Sequence, residues 1–180
     1  TDFCNQGDPS RMFGAALLPF QDVALSVKEA HRAVTELGHK TVFLRAASPS
    51  KGVYYHQPEF EPLFAEIQEL GVPIVFHEGI PSHIPSVAAG RFANSEATLL
   101  KISFTMEPMM AVNAMTLGGV LERFPDLKVG FLEGNGSWLP FLLWRLDEIF
   151  EYTGRGEYPE LTKKPSECFA GNCFVSCDAD

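Results

Sequence analysis

The segment Val72-Pro73-Ile74-Val75-Phe76-His77-Glu78-Gly79 decides the fold class of this chain. It is a continuous apolar run with β-branched and aromatic residues, which is typical of a buried strand in a parallel sheet. The run ends in His77 and Glu78, and α/β folds place ligand-binding groups at the C-terminal ends of such strands. Two segments repeat the design, Lys128-Val129-Gly130-Phe131-Leu132-Glu133-Gly134-Asn135-Gly136 and the shorter Thr41-Val42-Phe43-Leu44-Arg45. His77 is therefore a candidate site residue, and a core histidine bonded to a backbone carbonyl is the alternative.

Strand-like runs alternate with helical patterns along the whole chain. The runs begin near Met12, Thr41, Pro73, Lys128 and Cys173. Strict alternation predicts right-handed crossovers and parallel pairing. Five units match either a complete doubly wound sheet or most of an eight-stranded barrel, and the residues alone leave both open. No Gly-x-Gly-x-x-Gly follows the first run, so a dinucleotide-binding fold is disfavoured.

The helices are predicted from apolar spacing and from their end signals. Asp22 is expected to cap a helix that Gly38 stops, and a second helix is expected from near Pro62 to Gly71. Further helices are predicted in three segments: Thr98 to Phe104, Met106 to Phe124, and Trp138 to Tyr152. The first two of these are expected to lie over a cleft, with Met106, Met109, Met110 and Met115 filling gaps in the packing.

Composition limits the possible partners. The chain has 180 residues, 46% of them hydrophobic, and a formal net charge of -9. This size fits one domain, or part of a larger one, across residues 1–180. Without a run of Lys or Arg, a nucleic-acid groove is disfavoured. No apolar stretch approaches the roughly 20 residues of a membrane helix, and no signal segment opens the chain, so we expect a soluble, cytoplasmic protein. The abrupt start at Thr1 and end at Asp180 suggest that segments are missing at both ends.

Three of the four cysteines lie close together near the C-terminus, at Cys168, Cys173 and Cys177. Their C-x4-C-x3-C spacing differs from the paired C-x2-C of structural zinc sites. Cys173 and Cys177 are predicted to lie on one strand, where small buried thiols are common.

Four segments carry a resemblance to a known family: Leu18-Pro19-Phe20-Gln21-Asp22, Phe76-His77-Glu78-Gly79, Gly118-Gly119-Val120-Leu121-Glu122-Arg123-Phe124-Pro125-Asp126-Leu127-Lys128-Val129, and Trp138-Leu139-Pro140. With these the chain resembles the amidohydrolase-2 family, the metal-dependent branch that includes aminocarboxymuconate-semialdehyde decarboxylase and related aromatic-acid decarboxylases and hydrolases. The agreement runs in order from about Met12 to Asp180. The resemblance implies an α/β fold, a (β/α)8 barrel of the TIM type, with a divalent metal, commonly zinc, at its C-terminal face. In this alignment His77 matches the metal-binding histidine that ends the fifth strand.

The chain also departs from the family pattern. It has no His-x-His or Glu-x-His on a first strand and no closing Gly-Ser-Asp-like segment, and Asp178 and Asp180 match the end of the seventh strand. By this alignment it holds strands three to seven, about five parallel βα units of a partial barrel. Many relatives place a catalytic histidine after the sixth strand, where this chain has Glu133. Glu133 is therefore the candidate catalytic proton carrier.

The remaining candidates follow from the chemistry of such a site. A catalytic zinc takes three or more protein ligands, so His77 alone cannot hold one. Glu78 follows His77 directly and should face the other way on a regular strand. Arg45 is predicted to bind a substrate carboxylate, with an ion pair to Glu133 or Glu78 as the alternative. Trp138 is predicted as a second substrate-binding residue that lines or braces the cleft with Pro140, and Ser137 as the cap of its helix. His56 and His83 are expected to be surface residues.

Two functions remain open at this point. The first is the central part of a metal-dependent hydrolase or nonoxidative decarboxylase of a small aromatic or unsaturated carboxylic acid. The second is a truncated, inactive barrel fragment that only folds and self-associates, possessing no bound metal. Unpaired edges near Phe13 to Leu18 and Cys173 to Cys177 predict a homodimer in either case. Without the first-strand and last-strand ligands, we expect at most weak activity from the isolated chain.

Overall fold

A parallel sheet lies at the centre of the computed structural model, which describes residues 2–8, 10–47, 49–50, 52–79, 87, 92 and 94–177. Within those ranges five strands pair in the order β1-β2-β3-β4-β5, and every pair is parallel. Their bounds are β1 Ala15–Leu17, β2 Thr41–Leu44, β3 Ile74–His77, β4 Val129–Leu132 and β5 Cys173–Val175. All five predicted strands are therefore present, each within three residues of its predicted start.

The two faces of the sheet differ in burial, and this decides between the open sheet and the barrel. Ladder partners on one face are fully buried: Val42, Ile74 and Val129 in one row, and Leu44, Phe76 and Phe131 in the next. On the other face Leu17 is 63% exposed and Phe174 is 49% exposed. A doubly wound sheet reverses its strand order and carries helices on both faces. Sequential strand order, with one face packed along all the central strands and the other exposed at its edges, is the arrangement of a barrel segment, so the partial barrel is confirmed.

The helices pack against the buried face and agree with the end signals in the sequence. Asp22 caps helix α2, Val23–Thr35, by accepting a hydrogen bond from the backbone N–H of Leu25 at 2.9 Å. Pro62 lies in the first turn of helix α3, Glu61–Leu70, whose C-cap residue Gly71 is left-handed with φ 67°. The helices of the described residues are α1 Asp2–Asn5, α2 Val23–Thr35, α3 Glu61–Leu70, α4 Glu96–Met115, α5 Val120–Arg123, α6 Leu139–Ile149, α7 Arg155–Glu157 and α8 Pro165–Asn172.

Several predicted boundaries differ from the observed ones. The predicted helices Thr98 to Phe104 and Met106 to Phe124 are divided differently, because α4 runs continuously through Thr105 with Pro108 inside it. Of the α4 methionines, Met115 is fully buried, but Met106 and Met110 are 38% and 53% exposed and do not fill gaps. Ser137 does not cap α6: the cap position is Trp138, without a side-chain hydrogen bond. A π-helical turn, Phe150–Gly154, follows α6 directly.

The cysteines form no metal site in the part of the chain that is described. Cys177 lies beyond the end of β5 and is exposed, so the prediction that it shares a strand with Cys173 is wrong. Burial raises the pKa of the Cys173 thiol to about 12, which keeps it protonated.

None of the described helices combines the length and the apolar character that crossing a bilayer requires.

Candidate functional site

His77 and Glu133 meet at the C-terminal ends of the neighbouring strands β3 and β4. The Nε2 atom of His77 lies 3.1 Å from Oε2 of Glu133. The Nδ1 atom lies 2.6 Å from the carbonyl oxygen of Glu78, and since a carbonyl only accepts, Nδ1 donates this hydrogen bond. The imidazole ring also lies 5.8 Å from the ring of Phe43 and 6.1 Å from that of Phe104, between centroids. The two candidate residues are thus in contact.

The contact depends on an unusual backbone conformation at Glu133. In the ladder His77 pairs with Leu132, so a regular strand would point Glu133 to the opposite face from His77. Glu133 instead has φ 58°, a left-handed conformation that non-glycine residues rarely adopt. Its N–H donates to Oγ of Ser176 at 2.9 Å, which ties the turn to the segment after β5. This turn directs the Glu133 carboxylate toward the imidazole.

A cleft of about 660 Å³ opens beside Glu133. Its lining residues come from α4 and from the turn after β4: Leu100, Lys101, Phe104, Thr105, Glu133, Gly134 and Asn135. The helix approaches this turn so closely that a Cβ on Gly134 would lie 2.7 Å from the carbonyl oxygen of Phe104. Glycine at position 134 therefore permits α4 to form one wall of the cleft.

Arg45 and Glu78, each just past the end of its strand, form a buried ion pair. Arg45 is 7% exposed and Glu78 is 1% exposed, and the Nη2 atom of Arg45 donates to Oε1 of Glu78. Glu78 also accepts from the backbone N–H groups of Ala47 at 2.9 Å and Gly79 at 3.0 Å. The hydroxyl of Tyr55 donates to the carbonyl oxygen of Arg45 at 2.8 Å. These contacts support the alternative that Arg45 forms an ion pair with Glu78, and not the prediction that it binds a substrate carboxylate.

Glu107 of α4 adds a second buried carboxylate. It is 4% exposed and accepts a hydrogen bond from the backbone N–H of Val87 at 2.6 Å. Burial raises the pKa of the Glu107 carboxyl, while the charge of Arg45 opposes this change. Burial also lowers the pKa of the Arg45 guanidinium. The Nε–H of Arg45 has no hydrogen-bond acceptor among the described residues.

Trp138 braces the cleft from behind and does not line it. Its indole N–H donates to the carbonyl oxygen of Gly134 at 2.8 Å, and the side chain is 8% exposed within the core. Of the two predicted positions for Trp138, lining the cleft or bracing it, its contacts match the second. His56 is exposed, as expected, with its ring stacked on Tyr54. His83, Asp178 and Asp180 lie outside the described residues.

The sequence predicts helices over a cleft, but not which side of α4 forms the cleft wall. Lys101 and Phe104 belong to the predicted helix Thr98 to Phe104, and Thr105 lies between the two predicted helices. The available signal was their spacing of three and four residues, which places them on one side of a helix. Nothing in that spacing showed which partner this side would meet.

One metal ligand fits the arrangement at His77. Metal-binding histidines usually donate their other ring N–H to a carbonyl or carboxylate, which fixes the tautomer, and the Nδ1 bond of His77 does this. No cluster of three or more His, Cys, Asp or Glu that could hold an ion occurs in the described ranges. His77 therefore fits as one ligand of a set that the described residues do not complete.

Comparison with known proteins gives the family. A family model for amidohydrolases matches residues 4–156. The chain belongs to the amidohydrolase family. This amidohydrolase is 31% identical over 177 residues to gamma-resorcylate decarboxylase of Rhodococcus jostii, covering 93% of the chain and 52% of that protein. It is 32% identical over 145 residues to the enzyme of the same name from Polaromonas sp., covering 77% and 43%.

A third relative is the 2-amino-3-carboxymuconate-6-semialdehyde decarboxylase of Dictyostelium discoideum, 30% identical over 144 residues, with 79% and 37% covered. The amidohydrolase chain thus spans about half the length, or less, of these relatives. The named proteins are all decarboxylases, and the resemblance expected from the sequence motifs is confirmed.

Solved structures agree on the fold. A 2,6-dihydroxybenzoate decarboxylase complexed with 2,6-dihydroxybenzoate superimposes with a TM-score of 0.77 at 23% identity, covering 97% of this chain and 54% of that one. The 5-carboxyvanillate decarboxylase of Sphingomonas paucimobilis gives 0.75 at 25% identity, covering 97% and 50%. A dihydroxybenzoic acid decarboxylase of Polaromonas sp. with bound manganese and the inhibitor 2-nitroresorcinol gives 0.73 at 24% identity, covering 98% and 53%. A divalent metal is therefore present in a protein of this fold.

Proposed function

We propose that this chain forms the central part of a metal-dependent nonoxidative decarboxylase that acts on a small aromatic carboxylic acid. The observation that carries the proposal is the contact of His77 with Glu133, at 3.1 Å, where two neighbouring strands of an amidohydrolase fold end beside a cleft. The relatives support decarboxylation over hydrolysis, because each of those named above is a decarboxylase.

His77 would be one ligand of the divalent ion, through Nε2, with its tautomer held by the Glu78 carbonyl. Imidazole and carboxylate ligands suit both zinc and manganese, so the proposal includes either ion. When bound, such an ion supplies a positive charge that polarises oxygen atoms of the substrate.

Glu133 would carry the proton of the reaction. In a nonoxidative decarboxylation the bond between the ring carbon and the carboxylate breaks, carbon dioxide leaves, and the ring carbon keeps the electron pair and takes up one proton. The Glu133 carboxyl stands at the cleft, with 57% of its side chain exposed, so it can hold a proton next to a bound ring and regain it from water. The proposal thus needs no oxidant or reductant.

The test uses the 180-residue chain with Mn²⁺ or Zn²⁺ and 2,6-dihydroxybenzoate, with carbon dioxide release as the measurement. Any turnover should fall by about a hundredfold or more in Glu133→Gln, since this change removes a general acid. His77→Asn should lower the bound metal measured by mass spectrometry. The matched control is His31→Gln, because His31 pairs with Glu66 at 2.8 Å in the helix layer, away from the cleft. If the metal-loaded chain binds 2,6-dihydroxybenzoate and other hydroxybenzoates but releases no carbon dioxide from any of them, the decarboxylase assignment is refuted.

A second candidate is a chain that folds and self-associates without catalysis. The exposure of Leu17 and Phe174 on the open face of the sheet favours it. Purified chain that holds no metal and releases no carbon dioxide, but forms a defined oligomer, would support this alternative over the enzyme.

A further inference from the structure

The outer wall of the cleft is one side of α4, and it carries a cation. Lys101, Phe104 and Thr105 are spaced by three and four residues, so they share this side of the helix, and all three line the cleft. The wall is held in place by the edge-on contact of Phe104 with the His77 ring and by the close approach of α4 to Gly134.

Lys101 is the available positive charge at this cleft. Its side chain is exposed and makes no ion pair with an acidic residue of the described ranges. Arg45 lies at the same edge of the sheet, but its guanidinium is buried against Glu78. The chain as a whole has a net charge of -9, and the ionisable group on the opposite wall is Glu133.

An anionic substrate would meet two obstacles in this cleft without a cation. The overall charge repels it, and a carboxylate placed next to Glu133 is disfavoured by like-charge repulsion. The positive charge of a flexible lysine in the cleft wall offsets both effects. The Phe104 ring gives an aromatic substrate a flat apolar surface beside His77.

We propose that Lys101 binds the carboxylate of an aromatic acid in this cleft and selects it over the neutral ring, with Phe104 contacting the ring. This inference rests on the proposed function and assigns the residue that determines its substrate class. Because Lys101 acts through its charge, arginine at this position should preserve carboxylate binding. Methionine keeps most of the apolar stem but not the charge, so it should not preserve this binding.

The experiment measures binding of 2,6-dihydroxybenzoate and of resorcinol, the same ring without the carboxylate, to the 180-residue chain by calorimetry in the presence of Mn²⁺. For an exposed ion pair we expect Lys101→Met to weaken binding of 2,6-dihydroxybenzoate roughly two- to fivefold, with resorcinol unchanged. Lys101→Arg should restore the affinity. The control is Lys40→Met, an exposed lysine just before β2 at the opposite edge of the sheet.

The outcomes separate this inference from the function on which it rests. If unmodified chain binds 2,6-dihydroxybenzoate and Lys101→Met binds it equally well, the role of Lys101 is refuted while the proposed function stands. Equal weakening of both ligands would also refute it, since that result means a general loss of the cleft. If unmodified chain binds neither this acid nor other hydroxybenzoates, the proposed function fails and the inference fails with it.

Discussion

At the scale of single residues, the backbone of Glu133 is the feature that brings the candidate site together. The left-handed conformation at φ 58° costs a non-glycine residue about 1–2 kcal/mol. Asn135, two residues later, is also left-handed, at φ 53°, but asparagine tolerates this region well. A residue that adopts this conformation more easily would avoid the strain at position 133. The strain is explained if the site needs the carboxylate that Glu133 supplies.

Replacing Glu133 with asparagine should therefore stabilise the fold while removing the proton carrier. We expect the free energy of unfolding to rise by about 0.5–1 kcal/mol, because asparagine adopts the left-handed region more readily. Urea denaturation followed by circular dichroism measures this. Glu36→Asn serves as the control, since Glu36 has an ordinary φ of -100° and should show no gain. A loss of stability in Glu133→Asn would show that the carboxylate contributes more than its strained backbone costs.

The buried pair of Arg45 and Glu78 should matter for stability more than any surface pair. Arg45→Met leaves the Glu78 carboxylate buried with only backbone donors, and breaking such a pair costs about 3–5 kcal/mol. The double variant with Glu78→Leu should recover part of this loss, because no buried charge is then left alone. Arg145→Met, which breaks an exposed pair with Glu148, should change the unfolding midpoint little. Equal midpoints for Arg45→Met and Arg145→Met would contradict the buried pairing.

At the scale of secondary-structure elements, α4 connects the cleft to the buried charges. One side of this helix lines the cleft through Lys101 and Phe104, and Glu107, one turn further on, lies buried with the charge of Arg45 acting on it. Its position on the sheet depends on Gly134, where no larger residue fits against the helix backbone. A shift of α4 would therefore change the cleft and the buried charges together.

The raised pKa of Glu107 predicts how stability depends on pH. Burial lifts this pKa above its ordinary value of 4.5, so the folded chain binds the proton more tightly than the unfolded chain. The unfolding free energy should then fall as the pH rises from about 4.5 through the raised pKa. Glu107→Gln should lose this slope, gaining stability relative to the unmodified protein at pH 7.5 but not at pH 4. If the unfolding free energies of Glu107→Gln and of the unmodified protein show the same dependence on pH, burial of Glu107 does not oppose its ionisation, and the prediction is wrong.

At the scale of the whole molecule, the sheet has two edges and one face that is exposed at both of them. In the described ranges β1 and β5 each pair with one neighbour only. Leu17 and Phe174 stand exposed on the open face near these edges. Unpaired edges and exposed apolar side chains are the features that recruit partner chains.

We therefore predict that the chain self-associates, most simply as a two-fold dimer. Sedimentation velocity at tens of micromolar should show the dimer, and Leu17→Lys should shift it toward monomer by placing a charge on the open face. Tyr152→Lys is the control, because Tyr152 is 90% exposed on the π-helical turn after α6. A monodisperse monomer of the unmodified chain would contradict the prediction.

Much of this architecture could be predicted from the sequence because it depends on local signals. Apolar runs, the cap at Asp22 and the left-handed glycine at position 71 are set by neighbours within a few residues. The polar ends of these runs also indicated His77 and Glu133, since parallel strands bring their C-terminal ends to one edge. The family motifs then favoured the barrel over the open sheet.

The tertiary structure alone decided where these side chains point. By strand alternation Arg45 belongs on the open face with His77, and Glu133 on the opposite face, yet Arg45 turns inward to Glu78 and Glu133 turns toward His77. Both residues lie just past the end of a strand, where the ladder no longer fixes direction. Contacts between distant segments determine it instead: the Glu78 carboxylate holds Arg45, and Ser176 holds the turn at Glu133. The α4 wall with Lys101 depends on a helix–turn contact at Gly134 that no local pattern encodes.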